Sequence, residues 1–211
     1  MNFSIVTLVN NEDVYNNNVV KSATLPNIEL IKIETSHCCR GLNKGIELAS
    51  SDIVICCHQD VAFPDNWPVI LEEQINLITN NWGVLGTYGI ALDYCDVGEI
   101  FNPSPFFRVG KHKELPSEVM FLDEHCLILN KKNGIFFDNN LSYFHFYGAD
   151  ICLSYNQKGF KNYAIRLHLN HLSKTGTRDN NYFLARRWLI KKWHDKSCYK
   201  RYKTTTCGIN L

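Results

Sequence analysis

The chain has 211 residues, 45% of them hydrophobic, and a formal net charge of +1. That length carries one domain with a substantial core, and the apolar content excludes disordered and coiled-coil classes. The balanced charge gives no overall push toward nucleic acid, although eight Lys/Arg and one acid, Asp195, crowd into Arg186 to Lys203, leaving 14 basic and 20 acidic residues elsewhere.

Phe3 to Val9 (FSIVTLV) is a short β-branched run and predicts a strand. Asn10-Asn11-Glu12-Asp13 follow as a polar loop, a helix is expected from about Val14 to Ala23, and Pro26 closes the next turn. Ile28 to Ile33 predicts a second strand. From Arg40 to Ser50, Leu42, Ile46 and Ala49 recur at helical spacing. Asp52 to Cys57 (DIVICC) is a continuous apolar run of strand length, as expected of a strand covered on both faces. The polar triplet His58-Gln59-Asp60 ends it abruptly. Val69 to Thr79 predicts another helix, and Trp82 to Tyr88 another strand.

This alternation predicts an α/β fold, a mostly parallel central sheet flanked by helices on both faces. Such sheets bind ligands beyond the carboxyl ends of their strands, where His58-Gln59-Asp60 falls. Residues 90–118 break the pattern and read as an excursion or lid. Val119 to Leu129 reads as a strand with Asp123, Glu124 and His125 in its middle. A helix is expected from Ala149 to Gln157, and a strand from Lys161 to Leu169 that runs into Asn170-His171. An amphipathic helix from Tyr182 to His194 carries Ala185, Trp188, Leu189 and Trp193 on one face.

The amino terminus lacks a basic leader and no stretch approaches the ~18 apolar residues of a membrane span. With nine cysteines, an odd count, the expectation is reduced thiols in a cytosol. Zinc at Cys56-Cys57-His58 is disfavoured, because neighbouring strand residues point to opposite faces. Asp60, just past a buried strand, either holds a divalent cation against a diphosphate or caps the turn at Phe63-Pro64-Asp65. His58 reads as a second ligand, a sugar or ribose contact, or a satisfied polar group. One of His168 and His171 is expected to close a metal site begun by Asp60. Asp150 is either an acid favouring a helix dipole or a base for an acceptor hydroxyl, and Asp123 is open in the same way. The basic tail fits an anionic lipid surface, a nucleic-acid surface or a packed helix with a solvated face.

GLNKGIELASSDIVICCHQDVAFPDNW resembles the donor-binding stretch of family-2-type glycosyltransferases, and more narrowly the branch named after a streptomycin biosynthesis protein. There an Asn-x-Gly-x-x-x-Ala helix, an apolar strand, His-Gln-Asp-Val and a Trp follow one another, here Asn43, Gly45, Ala49, residues 53–57, His58 to Val61 and Trp67. GVLGTYG, FLDEHCLILNK, FFDNNLSYFHFYGADICLSYNQKGFKNY and HLSKTG continue the likeness in order, from about residue 3 to 195. The resemblance implies a GT-A fold in a single domain over 1–211, with a nucleotide-sugar half (about 1–90), an acceptor and metal half (about 119–180), and a basic helix and tail (181–211). It implies a nucleoside-diphosphate sugar donor, Mn²⁺ or Mg²⁺, and a glycan, lipid-linked or small-molecule acceptor. It puts the metal on Asp60 and His171, and the donor on Asn10, Glu12, Glu34, Asn43, His58, Gln59 and Asp60. The protein is expected to be cytoplasmic, with peripheral membrane contact through the basic helix and no nucleic-acid partner.

The chain departs from the wider family's pattern twice, the first time in a way that is usual for this branch. His58 stands where the wider family has an acid, and Tyr147-Gly148-Ala149-Asp150 stands where relatives read Tyr-Asp-x-Asp. Asp150 is therefore the first candidate base and Asp123 the second. Alternatives are a nucleotide-sugar-binding scaffold without turnover, which Gly148 supports, and a sugar nucleotidyltransferase, which the lack of a Gly-rich basic loop after the first strand disfavours.

Overall fold

A computed structural model describes residues 1–79, 81–103, 106–109, 114–172, 178–196 and 201–210. Its centre is a seven-stranded sheet in the order Ser117–Val119, Lys161–Ala164, Trp82–Gly86, Cys126–Asn130, Ile53–Cys57, Phe3–Leu8 and Ile28–Ile33. Phe3–Leu8 pairs in parallel with both its neighbours, and Lys161–Ala164 pairs in parallel with Trp82–Gly86. Only Cys126–Asn130 and Ser117–Val119 run against these five.

The continuous apolar runs are explained by two cores, one on each side of the sheet. Val6, Val54, Cys56, Leu127 and Leu129 face the helices Cys38–Leu48 and Tyr147–Gln157. Phe3, Ile5, Ile55, Cys57 and Ile128 face Trp67–Leu77 and the helical run 12–23. Each fully buried Ile or Leu contributes about 2 kcal/mol of burial free energy, and the period of two along the strands distributes it evenly to both faces. Gly45 lets the helix Cys38–Leu48 lie directly on the sheet, since a methyl there would overlap Val6.

Several predicted boundaries shift. The first helix begins earlier, at Glu12, where Asn11 caps it by accepting from the Val14 amide at 3.1 Å, and it passes through a π segment over Asn16–Val20. The expected strand from Val119 to Leu129 is broken: Asp123 accepts from the His125 amide at 3.1 Å and turns the chain between Phe121–Leu122 and Cys126–Asn130. The strand expected to reach Leu169 leaves the sheet after Ala164, and His168 takes a positive φ of 49°.

The chain then returns as Asn170–His171 in a small sheet ordered Val61–Ala62, Asn170–His171, Ile100–Pro103 and Phe106–Val109. The excursion over 90–118 thus supplies strands beside the site. Ser104, Pro105 and 110–113 lie outside the described residues, as do 173–177 within the HLSKTG motif. The amphipathic helix spans Asn180–Trp193, with Tyr182, Ala185, Leu189 and Trp193 buried. Among the described residues no helix is long and apolar enough to cross a membrane.

Candidate functional site

Strands Phe3–Leu8, Ile28–Ile33 and Ile53–Cys57 end side by side, with Leu8 opposite Ile33 and Thr7 opposite Cys57. A cleft of about 250 Å³ opens beyond these carboxyl ends. Its lining includes Asn10, Thr35, Leu42, His58, Gln59, Asp60, Phe144 and Tyr147. Gln59 joins two of the strand-end loops: its Oε1 accepts from the Asn10 and Asn11 amides, both at 3.0 Å, and its Nε2 donates to Asn10 Oδ1 at 2.6 Å. Glu12 and Glu34 stand exposed near the same strand ends, bridged by Lys32 Nζ at 2.8 and 3.2 Å. Asn43 is elsewhere. It is buried, and its carboxamide is used by Phe137 O, Asn139 Oδ1 and the Phe137 amide at 2.8–3.0 Å. Expected at the donor, it pins the helix Cys38–Leu48 to the 137–139 turn.

His171 reaches Asp60 through sheet register, over a sequence separation that no local pattern spans. Asn170–His171 pairs antiparallel with Val61–Ala62, His171 opposite Val61, and the Leu172 amide donates to Asp60 O at 2.9 Å. This sets His171 Nε2 at 3.3 Å from both Asp60 Oδ1 and His58 Nδ1. One donor atom from each of His58, Asp60 and His171 lies within 4.8 Å of the other two. His168 is turned away and pairs with Glu99 at 2.6 Å.

Buried groups orient this cluster from behind. Tyr147 Oη donates to the Glu124 carbonyl at 3.2 Å and lies 3.0 Å from His58 Nε2. A carbonyl only accepts, so this arrangement makes His58 Nε2–H the donor to the tyrosine oxygen and leaves the Nδ1 lone pair facing His171 and Asp60. His125, whose ring is 5.4 Å from that of His171, is held between Asp123 Oδ1 at 2.8 Å and Thr87 Oγ1 at 2.7 Å.

Electrostatics favour a neutral His58 and a charged Asp60. Burial, and then the nearby His171, push the His58 imidazole down to about 4. Burial works against ionisation of Asp60, but the imidazoles of His171 and His58 outweigh it and hold the carboxyl below its ordinary value. A histidine with a depressed folded pKa binds its proton more readily in the unfolded chain. Its contribution to stability is therefore present above about pH 6.5 and is lost as pH falls toward 4. In EDTA, the melting temperature of the wild type should fall over that window more steeply than that of His58→Gln. Parallel curves would contradict a buried neutral His58.

The acids expected to act as base are engaged elsewhere. Asp150 is 1% exposed, and its carboxylate receives Trp193 Nε1 at 2.7 Å and Lys192 Nζ at 2.7 Å. Expected as the first candidate base, this carboxylate bonds two residues of the C-terminal helix. Asp123 is committed to His125, which holds its carboxyl well below the usual range despite burial. Tyr147, Phe144, Thr87 and Glu124 had no role in the sequence reading. Glu124 adjoins Asp123 in FLDEH, and the turn that separates their side chains has no periodic signal.

No family model matches the chain. It is 28% identical over 147 residues to a protein called ATP synthase subunits region ORF 6 from Fuscovulum blasticum, a match over 66% of this chain and 59% of that protein. Among solved structures it is similar to residues 1–349 of S. aureus TarS in complex with UDP-GlcNAc. That comparison has a TM-score of 0.60 and 12% identity, and covers 94% of this chain and 68% of the other. The same TarS segment in complex with UDP gives 0.58 and 13%, over 94% and 67%. The chain has the GT-A fold. Against the longer TarS structure the TM-score is 0.58 at 12% identity, and the match covers 94% of this chain but 40% of that one. The chain therefore spans well under two thirds of both the curated relative and the longer TarS chain.

Proposed function

We propose that the chain is a glycosyltransferase that moves a sugar from a nucleoside diphosphate to a hydroxyl, with a divalent ion held by His58, Asp60 and His171. The observation that carries this reading is the convergence of three ligand atoms at the carboxyl edge of the sheet, on one side of a cleft. The donor sets fit an ion: a neutral imidazole with a free lone pair, a carboxylate kept charged, and a second imidazole. When bound, such an ion neutralises the charge that builds on the departing diphosphate. Asn10 and Gln59 fix the cleft wall, and the Glu12 and Glu34 carboxylates stand ready for base and ribose hydroxyls. Solved structures of the same fold in complex with UDP and UDP-GlcNAc support a nucleotide-sugar donor.

The acceptor belongs to a bacterial surface glycan, a lipid-linked carrier or a small metabolite, on the cytoplasmic side. Lys192 points inward, but Arg187, Lys191 and Lys196 remain exposed on the C-terminal helix and its end for peripheral contact with anionic lipid. Nucleic acid is not a partner in this reading.

The test is thermal shift with UDP, GDP and dTDP and with their sugar conjugates, each with Mn²⁺ or EDTA. A shift that needs the ion supports the reading, and no response to any of them sinks it. Two nitrogen ligands disfavour Mg²⁺, which prefers oxygen. Mn²⁺ should half-saturate the shift at a concentration about tenfold lower than Mg²⁺, and equal potency would remove both histidines from the ligand set. A scaffold without turnover, the reading Gly148 favours, would bind the donor and never consume it.

A further inference from the structure

The side chains from Phe144 to Tyr147 divide between core and cleft. His145 and Phe146 pack on Tyr182 of the C-terminal helix, with rings 5.5 and 5.0 Å from the tyrosine ring. Tyr147 turns the other way and sets its Oη 3.0 Å from His58 Nε2. Between these directions the backbone of Phe146 takes a φ of 64°, a left-handed conformation that bulky residues rarely adopt. Strain of this kind persists where surrounding contacts over-determine the backbone, and it clusters at ligand sites. Phe144 is the side chain left outside the core: it lines the cleft and stays 47% exposed. Its anchored neighbours fix its position before any ligand arrives.

A phenylalanine half open to water gains little from burial, so folding alone does not account for this placement. The same cleft is lined by Leu8, Thr35 and Leu42, whose side chains offer one hydroxyl among them. Gly41 packs the start of the helix Cys38–Leu48 onto Leu8 and Thr35, since a methyl there would overlap both. A sugar set against this closed, uncharged wall would leave its hydroxyls without partners, at a cost for each. A nucleobase instead presents a flat π-face that stacks on an aromatic ring.

We propose that Phe144 is the stacking platform for the base of the donor nucleotide, an assignment that rests on the transferase reading above. Its ring holds the face of the base, while the diphosphate lies toward His58, Asp60 and His171. Stacking is tolerant of base identity. Phe144 therefore sets the affinity for a nucleotide and not the choice among uracil, guanine and thymine.

The test measures half-saturation of the thermal shift in Mn²⁺ for UDP, GDP, dTDP, their sugar conjugates and inorganic pyrophosphate, which has no base. In Phe144→Ala the affinity for every nucleoside diphosphate that binds the wild type should fall about tenfold or more, with that for pyrophosphate unchanged. Phe144→Tyr keeps the ring and should bind as the wild type does, whereas Phe144→Leu keeps only apolar bulk and should resemble the alanine variant. Unliganded melting temperatures should stay close to wild type, and an early-melting alanine variant leaves the tyrosine and leucine pair to carry the comparison. Equal losses for pyrophosphate and nucleotide overturn the assignment, because the ion end of the cleft would then have changed. A loss confined to the sugar conjugates overturns it by placing Phe144 at the sugar, and an unchanged affinity removes Phe144 from the site. A wild type that responds to no nucleotide fails the transferase reading itself, and the platform falls with it. A wild type that binds a nucleotide no better than Phe144→Ala fails the platform alone.

Discussion

Asp60→Ala should abolish the Mn²⁺-dependent stabilisation by a nucleoside diphosphate while leaving the protein without ligand close to wild type in stability. Asp60 is the sole carboxylate of the ligand group His58, Asp60 and His171. Removing it leaves two neutral donors facing a dication, with no charge to offset the loss of hydration. A drop in affinity of about 100-fold or more follows, since even the loss of an outer hydrogen-bond partner costs about 10- to 100-fold. At a ligand concentration 100 times its dissociation constant, binding stabilises the fold by about 2.7 kcal/mol, and a 100-fold weakening leaves about 0.4 kcal/mol. For a chain of this size, a shift of about 5–10 °C shrinks to about 1 °C. The apo protein loses only a partly exposed contact between Asp60 and His171, of the class that contributes about 1 kcal/mol or less. Differential scanning fluorimetry with Mn²⁺ and UDP, GDP or dTDP measures both quantities. A variant that keeps the full shift would remove Asp60 from the site.

The donor side of this site was legible in the sequence because it is encoded locally. DIVICC stops at a polar triplet, and in a sheet of this kind the residues after a buried strand line the ligand crevice. The two faces of Cys56 and Cys57 follow from the same period, and they do enter different cores. His171 was legible as a candidate but not as a neighbour. Its approach to Asp60 depends on the register of a two-residue strand against Val61–Ala62, and two residues carry too little pattern to fix a register.

The acceptor side was open to two readings for a different reason. Asp150 in the first turn of a helix fits a base and a dipole partner equally well when only its own segment is considered. What separates them is Lys192 and Trp193, some forty residues later in the chain. The position of Glu124 was not legible either, because one continuous strand was expected from Val119 to Leu129. Such a strand would have put Asp123 and Glu124 on opposite faces, whereas the Asp123 turn sends Glu124 over the start of the next helix.

Asp150→Ala should produce the largest loss of stability among single substitutions near the site, and it should do so without touching donor binding. The carboxylate is 1% exposed and is held by the indole N–H of Trp193 and the ammonium of Lys192, which also pairs with Asp138 at 2.8 Å. Alanine leaves the Trp193 donor buried without an acceptor and Lys192 with half of its compensation. Breaking one side of a buried pair in this way costs about 3–5 kcal/mol, or roughly 10 °C in melting temperature for a chain of this length. Asp150→Asn keeps an oxygen for the indole and removes the charge, so its loss should be smaller. Both variants should retain the Mn²⁺-dependent nucleotide shift, measured as the difference from their own unliganded melting temperatures, because Asp150 lines neither the cleft nor the ligand group. The opposite pattern, a melting temperature within 2 °C of wild type with donor consumption lost, would return Asp150 to the role of base. It would also mean that the C-terminal helix is held to the body by the burial of Tyr182, Ala185, Leu189 and Trp193 rather than by the bonds that Asp150 makes.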